Sequence, residues 1–208
     1  MLLPFPRLYA IVDGERTGER PPERVCRELL AAGVRLFQYR DKRGPSRQVL
    51  ETLRVLVPMV RAQGGWLIVN DRADLALVAD ADGVHLGQDD LPLDLARRVL
   101  KPGQWVGYST HNLEQVRRAD GQAADYVAFG PIYSTASKHA PDPIVGLENL
   151  RRARQATSKP LVAIGGITPE NARQVIEQGA DSVAVISGLL DAADLGARAA
   201  EFLRILGQ

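Results

Sequence analysis

The chain has 208 residues, 45% of them hydrophobic and 25% charged, an ordinary globular composition with enough length to bury a full core. Twenty-six Lys and Arg stand against 25 Asp and Glu, a net charge of +1, so there is no electrostatic case for a nucleic-acid polymer as partner. One cysteine, Cys26, excludes an intramolecular disulfide framework and a multi-cysteine zinc site, and its setting reads as a structural helix position. The first seven residues lack the basic start and continuous apolar stretch of a signal peptide. No run approaches the roughly 18 apolar residues of a membrane helix, so a cytoplasmic protein with no membrane partner is expected.

Eight short apolar runs recur along the chain, at residues 8–12, 36–39, 66–69, 83–86, 105–108, 126–129, 161–164 and 182–186. Between them, spacing near 3.6 predicts helices at 22–32, 47–62, 93–100, 113–123, 147–156 and 169–178, and a last one follows at 195–206. Pro58 is expected to kink or shorten the second helix. Thr168 and Pro169 form a helix start, Gly179 the matching stop, and Gly207 closes the final helix. Strands alternating with helices pair in parallel, because parallel neighbours need a crossover. The runs carry few charges and little strict alternation, as strands buried on both faces do. Eight such units without a linker predict one (β/α)8 TIM barrel domain spanning 1–208, with an open doubly wound sheet as the competitor. A barrel places function at the C-terminal strand ends, so those positions carry the functional reading.

After the second run stands Gln38-Tyr39-Arg40-Asp41-Lys42. Period-two geometry sends Gln38, Arg40 and Lys42 to one face, and two cations with an amide suit a phosphorylated small molecule. An exposed turn is the competing reading. The third run ends in Asn70-Asp71 and the fourth in Asp89-Asp90. Asp74 reads as a helix cap, but a cap does not account for Asn70-Asp71. Two acidic tips on adjacent strands can converge on Mg2+, which takes one or two carboxylates plus water and phosphate oxygens. Two unrelated caps are the alternative. His85, inside a strand, reads as a core or supporting histidine. Ser109 could donate to a ligand, and residues 110–112 also read as a helix start; geometry, not order, would define any catalytic triad. The connection from Gly130 to Leu147 is the longest, and its hydroxyls and Lys138 are good anion contacts. Gly165-Gly166 after the seventh run and Ser187-Gly188 after the eighth occupy the usual barrel phosphate position.

The ordered set is similar to the thiamine-phosphate synthase family. The segments that carry the resemblance are Gln38-Tyr39-Arg40-Asp41-Lys42, Asn70-Asp71-Arg72 and Gly83-Val84-His85-Leu86-Gly87-Gln88-Asp89-Asp90. They continue with Gly107-Tyr108-Ser109, Gly130-Pro131-Ile132-Tyr133, Thr135-Ala136-Ser137-Lys138, Ile164-Gly165-Gly166-Ile167 and Ile186-Ser187. The resemblance implies Mg2+-dependent joining of hydroxymethylpyrimidine diphosphate to a thiazole phosphate, giving thiamine phosphate and pyrophosphate through a dissociative step. It implies that Gln38, Arg40, Lys42, Asn70, Ser109 and Lys138 hold the diphosphate, with Tyr39 and Asp41 in the same stretch. Arg40, Lys42, Ser109 and Lys138 are then the candidates for the chemical step, and Asp71 and Asp90 the metal carboxylates. Thr135, Ala136, Ser137, Gly166, Ile186 and Ser187 would bind the thiazole phosphate. Ser137 departs from the family's usual Thr but keeps the hydroxyl.

Two alternatives stay open at the level of sequence. A related thiazole tautomerase shares the barrel but carries a catalytic His just after the sixth-strand Gly, where this chain has Pro131. A phosphate-ligand sensor would need no chemistry, and the retained Arg40, Lys42, Asp71, Asp90 and Lys138 argue against it. A homo-oligomer is left open.

Overall fold

The computed structural model describes residues 5–135 and 142–208. Every apolar run is a strand: β1 (Leu8–Asp13), β2 (Leu36–Arg40), β3 (Trp66–Asn70), β4 (Gly83–Leu86), β5 (Trp105–Thr110), β6 (Tyr126–Phe129), β7 (Leu161–Ile164) and β8 (Ser182–Val185). All neighbours pair in parallel, and β8 returns to β1, so the sheet is a barrel closed in sequence order and the open doubly wound alternative falls. The helices are α1 (Pro22–Ala31), α2 (Ser46–Ala62), α3 (Ala73–Val78), α4 (Leu93–Val99), α5 (Leu113–Asp120), α6 (Gly146–Ala156), α7 (Pro169–Glu177), α8 (Ser187–Leu190) and α9 (Leu195–Leu206).

Alternation along the strands divides the core in two. Residues such as Leu8, Phe37, Val69 and Val127 pack outward beneath the helices. Tyr9, Ile11, Leu36, Ile68, Tyr126, Ala128, Val162 and Ala184 turn inward and fill the barrel. Trp66 and Trp105, at the first positions of β3 and β5, stack with ring centroids 5.8 Å apart, and Phe5 stacks on Trp105 at 5.7 Å. These large rings close the N-terminal end, which leaves the C-terminal end for ligands.

Four details differ from the sequence reading. Pro58 does not shorten α2, which continues to Ala62. Its ring lies on the exposed face, where the carbonyl deprived of a partner can meet water. Asp74 is not a cap: it lies in the first turn of α3 and receives Arg72 Nε at 2.9 Å. The short α3 and α8 carry too few residues for a periodic signal. Four strands also outrun their apolar stretches, to Asp13, Arg40, Asn70 and Thr110, because the ladder follows the backbone rather than hydrophobicity.

A thrice-repeated device organises the opposite rim. Asp82, Asp125 and Asp181 each immediately precede an even-numbered strand and accept a neighbouring strand's first free N–H, from Leu67 at 2.7 Å, Val106 at 2.6 Å and Leu161 at 2.7 Å. Arg61, Arg97 and Arg154 pair with the same three carboxylates. A charged acceptor on a backbone N–H is worth about 1.5–3 kcal/mol. Asp181→Ala is therefore expected to lower unfolding stability by about 2 kcal/mol in urea titrations. A midpoint unchanged from the parent would show that water replaces the carboxylate.

Candidate active site

In β1, β2, β3 and β5 the inward column ends in a polar group at the C-terminal rim: Asp13, Arg40, Asn70 and Ser109. In β2, Leu36, Gln38 and Arg40 share the inner face, and the register sets Arg40 opposite Asp13 of β1. Arg40 forms a close ion pair with the buried Asp13 carboxylate, whose other oxygen accepts from Glu15 N at 3.0 Å. Lys42, half exposed beyond the strand, lies 3.1 Å from Asp71 Oδ2. Asp71 takes φ 61°, a left-handed conformation uncommon outside glycine, and its N–H donates to His85 O at 2.8 Å. Asp90 Oδ2 accepts from Gly87 N at 2.6 Å. Burial, together with the neighbouring Asp71 charge, holds the Asp90 carboxyl above its ordinary range. Two carboxylates in contact repel, so Asp71 and Asp90 are the residues that could hold a divalent cation. Among the described residues no group of three His, Cys, Asp or Glu could hold a metal by itself. An ion here would complete its shell with water and ligand oxygens, which is the habit of Mg2+.

Arg40, Lys42, Asp71 and Asp90 line a cleft of ≈ 1000 Å3, together with Asn70, Asp89, Ser109 and His111. A narrower cavity of ≈ 80 Å3 adjoins it, lined by Thr135, Gly165, Gly166, Ile186 and Ser187. Ser109, His111 and Asp142 line both. Gly165 and Gly166 take φ of 102° and 64°, and a Cβ on Gly166 would fall 2.7 Å from Tyr133 Cβ. Glycine is required there by both conformation and space. Asn171 fixes the tip: its Nδ2 donates to Gly166 O at 3.0 Å while its Oδ1 accepts from Thr168 N at 2.9 Å.

The structure thus brings together Arg40, Lys42, Asn70, Asp71, Asp90 and Ser109 around one cleft, and Thr135, Gly166, Ile186 and Ser187 around the other. Tyr39 and Asp41 line neither. Alternation turns Tyr39 outward into the helix-side core, where burial pushes its hydroxyl up to about 12. Asp41 Oδ1 instead accepts from Arg43 N at 3.1 Å and Gly44 N at 2.7 Å and so ties the β2–α2 turn. Gln38 is buried one inward position below Arg40 and bonds Tyr9. Ala136, Ser137 and Lys138 lie outside the described residues. Sequence reasoning missed Asp13, Gln88, His111 and Asp142. Gln88 Nε2 donates to Ser109 O, and His111 Nδ1 lies 2.7 Å from Gly130 O. The signal for Asp13 was its place directly after an apolar run, the same signal that marked Asn70-Asp71.

A family model described as thiamine monophosphate synthase matches residues 8–189. The chain belongs to this family. A relative named thiamine-phosphate synthase from Koribacter versatilis is 53% identical over 98% of this chain and 97% of its own. One of the same name from Moorella thermoacetica is 42% identical over 92% and 91%. A solved structure, thiamine phosphate pyrophosphorylase from Pyrococcus furiosus, superposes with a TM-score of 0.88 at 35% identity, covering 97% of this chain and 95% of that one. The family is one of transferase enzymes in thiamine biosynthesis. No helix among the described residues is long and apolar enough to cross a membrane.

The buried Arg40–Asp13 pair yields a test of how the cleft stores charge. Removing one partner of a buried pair leaves the other uncompensated, at a cost of roughly 3 kcal/mol. Asp13→Ala should lower the melting temperature accordingly, and inorganic pyrophosphate should raise it more than it raises the parent's, because the anion takes the vacant place beside Arg40. Equal pyrophosphate shifts in both proteins would show that Arg40 does not meet the anion.

Proposed function

We propose that the chain joins 4-amino-2-methyl-5-hydroxymethylpyrimidine diphosphate to 4-methyl-5-(2-hydroxyethyl)thiazole phosphate, releasing pyrophosphate and forming thiamine phosphate with Mg2+. The observation that carries this reading is the pairing of two unlike cavities through Ser109 and His111. One is broad and charged, suited to a diphosphate; the other is narrow and glycine-tipped, in the position where barrels hold a single phosphate.

Charge supports the metal. The larger cleft carries Asp71, Asp89, Asp90 and Asp142 beside the permanent cations Arg40 and Lys42. A diphosphate would meet four carboxylates there, and bound Mg2+ would supply the missing positive charge to leaving-group oxygens. Asp71 and Asp90 would hold it. Lys42 would then be released from Asp71 towards phosphate, with Lys138 and Asn70 completing the contacts.

As the pyrimidine carbon–oxygen bond breaks, negative charge develops on the departing diphosphate. Arg40, held in place by Asp13, and Lys42, once released from Asp71, stabilise that charge. The bond electrons leave with the diphosphate, and the pyrimidine methylene cation that remains is captured by the thiazole nitrogen, which forms the new carbon–nitrogen bond. No enzyme nucleophile takes part. Thr135, Ser137, Gly166 and Ser187 orient the thiazole phosphate so that its ring faces Ser109, and Ile186 covers the ring. A cytoplasmic location suits substrates whose phosphates keep them from crossing membranes.

The decisive experiment follows thiamine phosphate and pyrophosphate from both substrates with and without Mg2+. Stoichiometric, Mg2+-dependent formation of both is expected. Asp71→Ala should lower turnover at least about a hundredfold and raise the Mg2+ concentration needed. Near-normal turnover with an unchanged Mg2+ requirement would remove Asp71 from the metal site. Folded protein that couples nothing would return the tautomerase and sensor readings.

A further inference from the structure

The interior of the barrel holds more polar groups than its core needs. Tyr9 and Tyr126 are fully buried, and their hydroxyls lie 2.9 Å apart. Gln38 Nε2 donates to Tyr9 OH at 3.0 Å. Tyr126 OH lies 3.0 Å from His85 Nδ1, and His85 Nε2 lies 2.8 Å from Ser109 Oγ. Five side chains from β2, β1, β6, β4 and β5 thus form one unbroken chain across the barrel, ending at a residue that lines both cavities. Glycine is spent to permit it. A Cβ on Gly107, mid-strand in β5, would fall on the tip of the Tyr126 ring and 2.5 Å from His85 Nδ1. Glycine weakens a strand, so its use at this contact marks the contact as needed.

Counting protons gives the chain a direction. The Gln38 amide nitrogen can only donate, so Tyr9 O accepts there and its single proton goes to Tyr126 O. Tyr126 in turn gives its proton to His85 Nδ1. Burial raises both phenols, so both keep that proton. In that direction a neutral His85 carries its hydrogen on Nε2 and donates to Ser109 Oγ, which leaves the Ser109 proton for the cavity.

We propose that Gln38, Tyr9, Tyr126 and His85 form a one-way hydrogen-bond relay that fixes the Ser109 hydroxyl as a donor to the bound pyrimidine diphosphate. His85 is on this reading a positioning residue that acts through Ser109. The inference rests on the proposed substrate for its ligand, but not for the polarity of the relay.

Two readouts test it. In protein labelled with 15N-histidine, long-range proton–nitrogen correlations distinguish a bare ring nitrogen from a protonated one, with His85 assigned by comparison with His85→Asn. The expected state is bare Nδ1 and protonated Nε2, shifting towards protonated Nδ1 in Tyr126→Phe. The second readout is kcat/KM for the diphosphate substrate. Tyr126→Phe should lower it about tenfold, the loss expected when one hydrogen bond is misdirected. In a Ser109→Ala background the same substitution should change it less than about twofold, because the group it acts through is gone. Protonated Nδ1 in the parent, or an equal tenfold loss in both backgrounds, would overturn the relay. Should Tyr126→Phe fail to fold, Tyr9→Phe breaks the chain one link earlier and takes its place in both measurements. Should the parent protein couple nothing, the substrate reading fails, and the His85 tautomer alone decides the relay.

Discussion

In a closed parallel barrel every strand turns alternate side chains inward, and no strand edge remains to release a misplaced one. The inner column here passes from stacked tryptophans at one end, through hydrogen-bonded tyrosines, to charged and hydroxyl groups at the other. A slip of one residue in any strand would exchange this column for the helix-side core, putting Phe37 and Tyr39 where Gln38 and Arg40 stand. Hydrophobic packing beneath the helices and the chemistry at the rim are therefore fixed by the same register. The outer core, being large and apolar, holds the inner polar groups in place at a cost they could not offset alone.

The rim is also a problem in electrostatics. Arg40 is committed to Asp13, and Lys42 to Asp71, while Asp71 and Asp90 oppose one another. Such a set is balanced for storage rather than for binding either sign alone. An anion brings charge that the carboxylates repel; a divalent cation brings charge that Lys42 repels. Arriving together they would exchange both sets of partners at once. On the proposed reading, metal and diphosphate would depend on one another through the exchange of these pairs.

Much of this was legible because strand ends were read as positions rather than as loops. The polar residues directly after apolar runs at Arg40, Asn70-Asp71 and Ser109 all reach the cleft. Asp13 carries the same mark, but a lone acid after a strand is indistinguishable from a turn until its partner strand is known. His111 and Asp142 reach both cavities from loops whose paths depend on tertiary contacts, and no local pattern announces them. Tyr39 and Asp41 fall on the other face of the same period-two alternation and line neither cavity. The repeated Ala-Asp before β4, β6 and β8 was visible as letters, yet its meaning, a carboxylate capping the adjacent strand, needs the strand order.

The Ser109–His85 contact at 2.8 Å has the outline of a nucleophile and its base. Its surroundings point the other way. In a nucleophilic pair a carboxylate accepts from the distal imidazole nitrogen, which leaves the near nitrogen bare to take the hydroxyl proton. In the relay proposed above, the distal nitrogen accepts from the Tyr126 phenol. The near nitrogen is then the donor, and it cannot deprotonate Ser109. The same two residue types at the same separation thus do opposite work, according to whether the third group accepts or donates. The proposed reaction, passing through a cationic fragment, would have no use for an enzyme nucleophile, since a serine alkoxide would capture the cation before the second ligand could. In the proposed relay the tyrosines buried beneath Ser109 would hold it protonated and so protect that fragment.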